Sequence, residues 1–239
     1  MDFSGSVFLE ALTSKTLLLG VPITIGLTVV SFAAGLLIGL LVALMRDSRL
    51  RVLQAVSWTY IWIFRGIPTL ILLFIVWDAL PQLFTVFREP WFSPFLAASI
   101  ALSFNEAAYA AEIMRGGLLA VDDGQRQAAR ALGMTPVKVF GKVVAPQLIR
   151  VAIPPMANDF ITLLKITSLA SITSLREIMT NSQTAVASSF RFAEWYFAAG
   201  IYYLVLVSIF MLGQAWLERR YVWTSRVRPP RSILRAIGR

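Results

Sequence analysis

Acidic, amide and basic side chains stand inside two otherwise apolar stretches of this chain, and their spacing limits the chemistry open to them. The stretch beginning at Pro94 carries Asn105, Glu106, Tyr109 and Glu112, and the one beginning at Val151 carries Asn158, Asp159, Thr162, Lys165 and Thr167. On a helix, Asn105, Tyr109 and Glu112 fall at i, i+4 and i+7 and share a face. Asn158, Thr162 and Lys165 do the same, with Asp159 about 100° round. Ionisable groups inside a membrane are costly and by default mark a functional position. Two polar stripes facing one another would line a wet path suited to a zwitterion, carboxylates meeting its ammonium and Asn, Thr or Lys its carboxylate. The predicted substrate contacts are Glu106, Asn158 and Asp159, and the excess of acids leans towards a cationic ligand. Bland roles compete. Glu112 can simply pair with Arg115 at i+3, and Asp159 and Lys165 can neutralise other charges at a subunit interface.

Other chemistry is excluded by what the chain lacks. It contains no cysteine and no histidine, which removes disulfides, thiolate or imidazole metal sites, and catalysis by either side chain. No catalytic residue and no metal site is therefore expected. A membrane-embedded enzyme would be left with a carboxylate mechanism, and the acids lie on different stretches without a supporting arrangement. No GxxxxGK[ST] phosphate loop occurs, so the chain does not itself bind ATP in that manner.

The elements that must hold these residues are membrane helices. Hydrophobic residues make up 57% of the 239 positions, charged ones 15%, and mean hydropathy is +0.71, well outside the range of a soluble domain. The apolar runs are continuous, as in helices, and not alternating as in barrel strands; they are long enough to cross about 30 Å of hydrocarbon. Five transmembrane spans are predicted, at about 18–45, 68–84, 94–114, 151–173 and 196–217. They form one all-α integral membrane domain over 1–220, followed by a basic tail at 221–239. Gly35-x3-Gly39 inside the first span suits close helix packing. The aromatic, basic-edged stretch 46–68 between the first two spans reads as an interfacial helix ending at Arg65-Gly66, with Pro68 opening the second span, since an unpaired charge at Arg65 inside the membrane would cost at least about 2.5 kcal/mol. Asp78 reads as interfacial, and Trp58, Trp62, Trp195 and Trp223 as interface aromatics. The first fifteen residues lack the basic start and cleavage pattern of a signal peptide, so the first span is expected to be retained.

Net charge is +9, and its distribution speaks for membrane orientation and against nucleic acid. With five spans and the C-terminus inside, sixteen Lys and Arg fall in inner segments, among them Arg46, Arg49, Arg51, Arg126, Arg130, Lys138, Lys142 and Arg150. Only Lys15, Arg88, Arg176 and Arg191 fall outside. The positive-inside rule then places the N-terminus out and the C-terminus in the cytoplasm, with the tail from Arg219 and its Pro229-Pro230 pair lying against acidic lipid.

The longest inner segment, 115–150, is polar and punctuated. Gln125 to Leu132 is rich in helix formers, and Gly133 can supply the left-handed residue that ends a helix. Thr135-Pro136 restarts one with an N-cap followed by proline at the first helical position. Pro146 and Pro154-Pro155 punctuate the return to the membrane. The expectation is a cytoplasmic helix-turn-helix on which Ala128 and Ala129 leave a smooth face for another protein to approach.

Gln127-Ala128-Ala129, Gly133, Val143 and Pro146 fall at the spacing of the EAA signature of ABC importer permeases, EAA-x3-G-x9-I-x-L-P. Together with Ala108-Tyr109-Ala110-Ala111-Glu112-Ile113-x-Arg115-Gly116-Gly117, Arg65-Gly66-x-Pro68, Pro154-Pro155-x-x-Asn158 and Lys165-x-Thr167-Ser168-Leu169, the chain resembles the polar amino acid (histidine/glutamine/glutamate/arginine) uptake branch of that family. The likeness covers Leu18 to about Arg220. Gln127 stands where the signature has Glu, Val143 replaces Ile, Ala145 replaces Leu, and Ile166 stands where this group often has Asp. The resemblance implies a type I ABC importer permease in a bacterial inner membrane, with Gln127, Ala128, Ala129, Gly133 and Pro146 docking a dimer of ATP-binding subunits. It also implies a second permease chain, the same or paralogous, an extracytoplasmic solute-binding protein and an amino acid substrate. No cofactor of the chain's own is implied, ATP and Mg²⁺ being bound by the partner. A stand-alone ion-coupled carrier with a proton site at Glu106 or Asp159 is the rival. It would need no such platform and usually carries paired internal repeats, and none is evident here.

Overall fold

The computed structural model describes residues 2–221, and the regular elements it contains are helical. The expected basic tail, with Trp223 and Pro229-Pro230, lies outside the described residues. A short helix α1 (Gly5–Leu12) leads into α2 (Lys15–Arg46), α3 (Arg51–Gly66), α4 (Thr69–Phe74) and α5 (Leu80–Leu83), the last two joined by a π-helical turn over Ile75–Ala79. Then follow α6 (Pro94–Leu119), α7 (Asp123–Ala131), α8 (Pro136–Val139), a second π-helical turn over Phe140–Val144, and α9 (Ala145–Ile166). A 3-10 turn over Thr167–Thr173, α10 (Ile178–Ser189) and α11 (Phe192–Tyr221) complete the chain. Among the described residues, α2 and α11 are the single helices long and apolar enough to cross a membrane on those grounds alone, and the bent pair Arg51–Gly66 and Thr69–Leu83 adds a third if it forms one span. The helices α6 and α9 fall short because they carry the charged and amide residues singled out above.

Close approach of α2 to α6 organises the rest. A Cβ on Gly35 would sit 2.6 Å from Glu106 Cγ, and one on Gly39 would meet Ala110 Cβ at 2.8 Å and the Ala107 carbonyl oxygen at 2.9 Å. Both glycines thus remove the atom that would hold the backbones apart. Because Gly35 meets Glu106 and Gly39 meets Ala110, the two helices run parallel and end on the same side. Leu148 packs on Gly117 and Asp159 on Glu106, so α9 runs antiparallel to both. Phe160 and Phe210, with ring centroids 4.9 Å apart, bring α11 alongside α9. At the opposite end from Arg46, Gly20 makes room for the backbone of Ile178, whose N–H points to Thr24 Oγ1 at 3.4 Å. There Tyr202 donates to the Leu12 carbonyl (2.8 Å), the Ser4 N–H to Glu194 (2.9 Å), and Asn181 to the Thr16 carbonyl (2.8 Å). These bonds tie the N-terminal segment to α10 and α11.

The α3 segment does not simply lie flat beside the other helices. Its early part is anchored near the end of α2, where Ser57 donates to the Val42 carbonyl at 2.9 Å. Its second half reaches mid-length on α6: Tyr60 donates to the Phe104 carbonyl (2.7 Å) and Asn105 Nδ2 to the Phe64 carbonyl (2.9 Å). The chain then turns through 101° into Thr69–Leu83. Arg65 nevertheless stays exposed, so this inclination buries no guanidinium. Pro154 and Pro155 also behave differently from a break: α9 runs through them without interruption. Trp195, read as an interface aromatic, is partly buried against a cluster that includes Leu17, Leu164 and Ala198.

Gly39→Ala is expected to destabilise the chain by about 1–3 kcal/mol, the usual cost of overpacking, because the new methyl meets backbone and another Cβ. Gly26→Ala, whose Cβ finds only Phe95 Cε2 at 3.9 Å, serves as the tolerated control. Thermal unfolding of the two variants in the same detergent checks the difference.

Candidate functional site

Two arrangements gather the singled-out residues: the polar cluster on α6 and α9, and the platform between them. Asn105, Tyr109 and Glu112 do share a face of α6, but that face turns to α3 and not to α9. Asn105 both donates to Phe64 and accepts from Thr69 Oγ1 (3.4 Å), so it closes the corner between α3 and α4. Arg65 lies over the Tyr109 ring at 5.1 Å. Glu112 and Arg115 form a two-pronged ion pair, Nε to Oε1 at 3.1 Å and Nη2 to Oε2 at 2.8 Å. The two predicted stripes therefore do not face one another.

The residue that meets α9 is Glu106, one position round the helix. It is 4% exposed, packed under Gly35, and its carboxyl adjoins that of Asp159. The two carboxyls lie within hydrogen-bonding reach of each other, and Glu106 Oε1 and Asp159 Oδ2 meet no other partner among the described residues. Buried polar atoms are rarely left unpaired, and each exception asks for an explanation. Asn158 is exposed on the neighbouring face of α9, where its carbonyl accepts from Thr162 Oγ1 (3.1 Å). Glu106 and Asp159 are thus brought together, with Asn158 adjacent along the chain and outside that contact. Lys165 is exposed and its carbonyl takes the Ser168 hydroxyl (2.8 Å). A carboxyl pair with free acceptor atoms can bind a cationic or ammonium group, and no group of three or more potential metal ligands occurs among the described residues.

The platform is ordered by its own bonds. Asp122 caps α7 by accepting the Gly124 N–H (2.6 Å), and Arg126 Nη2 donates to the Leu118 carbonyl (2.7 Å). Gly133 adopts φ +77°, which lets its own N–H reach Arg130 O (2.9 Å) and the Met134 N–H reach Ala129 O (3.2 Å). This is the left-handed helix ending that favours glycine. Thr135 and Pro136 open α8 in the order expected, although the threonine side chain makes no capping bond. Gln147 Nε2 donates to Gln125 Oε1 at 2.6 Å, fastening α9 to α7.

Exposure divides the signature residues. Gln127, Ala128, Gly133 and Pro146 are exposed, but Ala129 is only 5% exposed and packs with Val121, Val139 and Leu148. Ala129, expected on the docking face, instead anchors the platform to the helices beneath, because adjacent helical residues point about 100° apart. The turn adds two residues that sequence reasoning did not single out. Leu132 and Val137 are 83% and 82% exposed, apolar side chains thrust outward on either side of Gly133. The available signal was the presence of large apolar residues flanking a glycine within a polar segment.

The chain matches the model of the family described as "Binding-protein-dependent transport system inner membrane component" over residues 35–223. It is 41% identical over 219 residues to an octopine transport system permease protein, OccM, of Rhizobium radiobacter, covering 87% of this chain and 89% of that protein. To a probable amino-acid permease protein, YxeN, of Bacillus subtilis strain 168 it is 38% identical over 204 residues, 85% and 90% of the two chains. The fold is similar to a chain of a solved amino acid ABC transporter described "with histidines", with a TM-score of 0.81 and 31% identity over 92% of this chain and all of that one.

Ala129→Asp is expected to loosen the platform by about 2 kcal/mol or more, since a carboxylate would enter an apolar site without a partner, whereas Ala128→Asp leaves the fold intact. Limited proteolysis within 120–146 separates the two: the Ala129 variant is cut faster and the Ala128 variant at the parental rate.

Proposed function

The chain belongs to the family of binding-protein-dependent transport system inner membrane components, a permease component of the amino acid ABC importer type, and from that premise we propose how its parts divide the work. It crosses the membrane five times, α2, α6 and α11 in one direction and the α3–α5 unit and α9 in the other, with the N-terminus out and the C-terminus in the cytoplasm. That reading rests on the parallel course of α2 and α6, the antiparallel course of α9, and the bias of Lys and Arg to one side. A second permease chain completes the path, and an extracytoplasmic binding protein delivers substrate to the outer face.

The observation that carries the coupling role is the exposed turn at Gly133. Leu132 and Val137 project from it beside Gln127, Ala128 and Pro146, forming an apolar tip on a rigid base. Ala129, the Arg126–Leu118 bond and the Gln147–Gln125 bond fix that base to α6 and α9. A separate ATP-binding subunit closing on ATP would push the tip, and the base would pass the displacement to the two helices that carry Glu106 and Asp159. The carboxyl pair is the substrate station: its oxygens, which meet only each other in the free chain, accept the ammonium of an amino acid, and Asn158 meets the ligand from the exposed face of α9. Paired carboxyls favour amino acids with a cationic side chain. ATP hydrolysis by the partner then resets the assembly, and the chain performs no bond chemistry itself.

Substrate-stimulated ATPase activity of the assembled transporter in proteoliposomes tests this. Gly133→Pro forces φ away from +77°, and Ala128→Asp places a charge on the apolar approach. Each is expected to lower stimulation by ~10-fold or more, equal to ~1.4 kcal/mol of lost coupling, without lowering membrane insertion. Full stimulation in both variants would refute the coupling role. Glu106→Gln and Asp159→Asn are expected to leave basal ATPase activity in place while lowering uptake of cationic amino acids more than that of neutral ones. Equal losses for both substrate classes would count against the carboxyl pair as the substrate station.

A further inference from the structure

A cleft of about 520 Å³ lies between the end of α2, the exposed side of α3 and the last turns of α6; Glu106 and Asp159 are not among its walls, although the Arg65 charge acts on Asp159. Its walls carry Arg46, Arg65, Arg115, Glu112, Trp58 and Trp62. Three guanidiniums surround one carboxylate: Arg115, Arg65 and Arg46 all act electrostatically on Glu112. Both Glu112 oxygens already accept from Arg115. Arg46 gives one long bond, Nη1 to the Gln54 carbonyl at 3.4 Å, and Arg65 meets the Tyr109 ring and makes no hydrogen bond among the described residues. The cleft thus holds a net charge of +2 and keeps guanidinium donors available.

Its depth says what reaches it. Arg46 is the last residue of α2 and Arg115 lies in the closing turns of α6, two helices that end on the same side, so the cleft opens at the level of lipid headgroups. Trp58 and Trp62 stand at its mouth as a stacked pair, 6.0 Å between centroids and 3° between planes, both more than half exposed. Indoles of this kind sit at the membrane–water boundary, and basic pockets between membrane helices hold acidic headgroups. A free amino acid fits poorly, because its ammonium would need a carboxylate and Glu112 is engaged.

We propose that this cleft binds the phosphate of an acidic phospholipid, Arg46 and Arg65 taking the phosphate oxygens and the Trp58–Trp62 pair covering the glycerol and upper acyl region. Guanidinium geometry suits phosphate oxygens, which accept two parallel N–H bonds. The bound lipid joins the end of α2 to α3 and α6, next to the Tyr109–Glu112 face. The site holds whichever way the chain is oriented, so its failure and that of the transport reading are separable.

The test is native mass spectrometry of the purified, delipidated transporter complex, given phosphatidylglycerol, phosphatidylcholine or inorganic phosphate. The parental complex is expected to retain phosphatidylglycerol over phosphatidylcholine. Arg46→Gln and Arg65→Gln should each weaken that retention on the order of tenfold, and Arg46→Lys with Arg65→Lys should restore part of it. Arg176→Gln, at the opposite end of the helices, should change nothing. The proposal is overturned if both lipids are retained equally, or if phosphatidylglycerol survives the Arg46→Gln/Arg65→Gln double change in a complex that still assembles. It is overturned equally if inorganic phosphate displaces the lipid at comparable concentration, which would make the site one for a free anion.

Discussion

The parallel contact of α2 with α6 is the constraint on which the remaining architecture depends. In a bilayer, apolar side chains gain little by leaving lipid for protein, so helices associate through close fit and through polar groups that need partners. Gly35 and Gly39 supply the fit. Their lack of a side chain lets Glu106, Ala107 and Ala110 of α6 come into backbone range, and the same approach covers Glu106 from one side. Asp159 covers it from another. A carboxyl that sits deep in the bundle is therefore a product of helix packing: filling the glycine positions would both separate the helices and expose the acid.

Several buried polar groups elsewhere in the bundle are accounted for by local bonds. Thr24 and Thr28 return their hydroxyls to carbonyls of their own helix, Gly20 and Thr24 respectively. Glu177, fully buried, accepts from the Met179 and Thr180 N–H groups and from the Tyr203 hydroxyl, so it is a helix cap and a clamp between α10 and α11. Asn105 is spent on the α3–α4 corner. Ser31, Ser99, Arg126 Nε and Trp195 Nε1 are buried without a hydrogen-bond partner among the described residues, but Glu106 and Asp159 are the two buried carboxyls that meet each other, the feature on which the proposed substrate station rests. The same reasoning separates the Arg46 and Arg65 guanidiniums from Arg115, which already holds a carboxylate.

Several features were legible in the residues because local physics leaves few choices. The long apolar runs specify α2 and α11, a glycine ending a helix-forming stretch specifies the positive φ at Gly133, and the i, i+3 spacing of Glu112 and Arg115 specifies their pairing. Gly35-x3-Gly39 announced a close contact without saying with what. The misreadings share one cause. Helical periodicity fixes which residues of one helix point together, but the identity of the helix they meet is decided by tertiary packing. Asn105, Tyr109 and Glu112 share a face as their spacing predicts, but that face meets α3 and not α9, because α3 leaves the surface and reaches Phe104. Ala128 and Ala129 look alike in sequence, and only the position of Leu148 and Val121 decides that one is a surface and the other a root. Glu106 and Asp159 stand out in the sequence as acids inside apolar stretches, and their mutual contact follows only from the antiparallel register of α9 against α6.

In the coupling role proposed above, the Gly133 turn is where force enters this chain from a separate ATP-binding subunit. The chain contains no cysteine, so a single introduced thiol reports one position. The most direct measurement is cross-linking from Leu132→Cys and, separately, from Ala129→Cys within the assembled transporter, using a short thiol-directed photoreactive probe. The account predicts a cross-link to the ATP-binding subunit from position 132 whose yield changes on addition of ATP, and little from position 129. Equal labelling from both positions, or an intact complex in which position 132 never reaches the ATP-binding subunit, would contradict it.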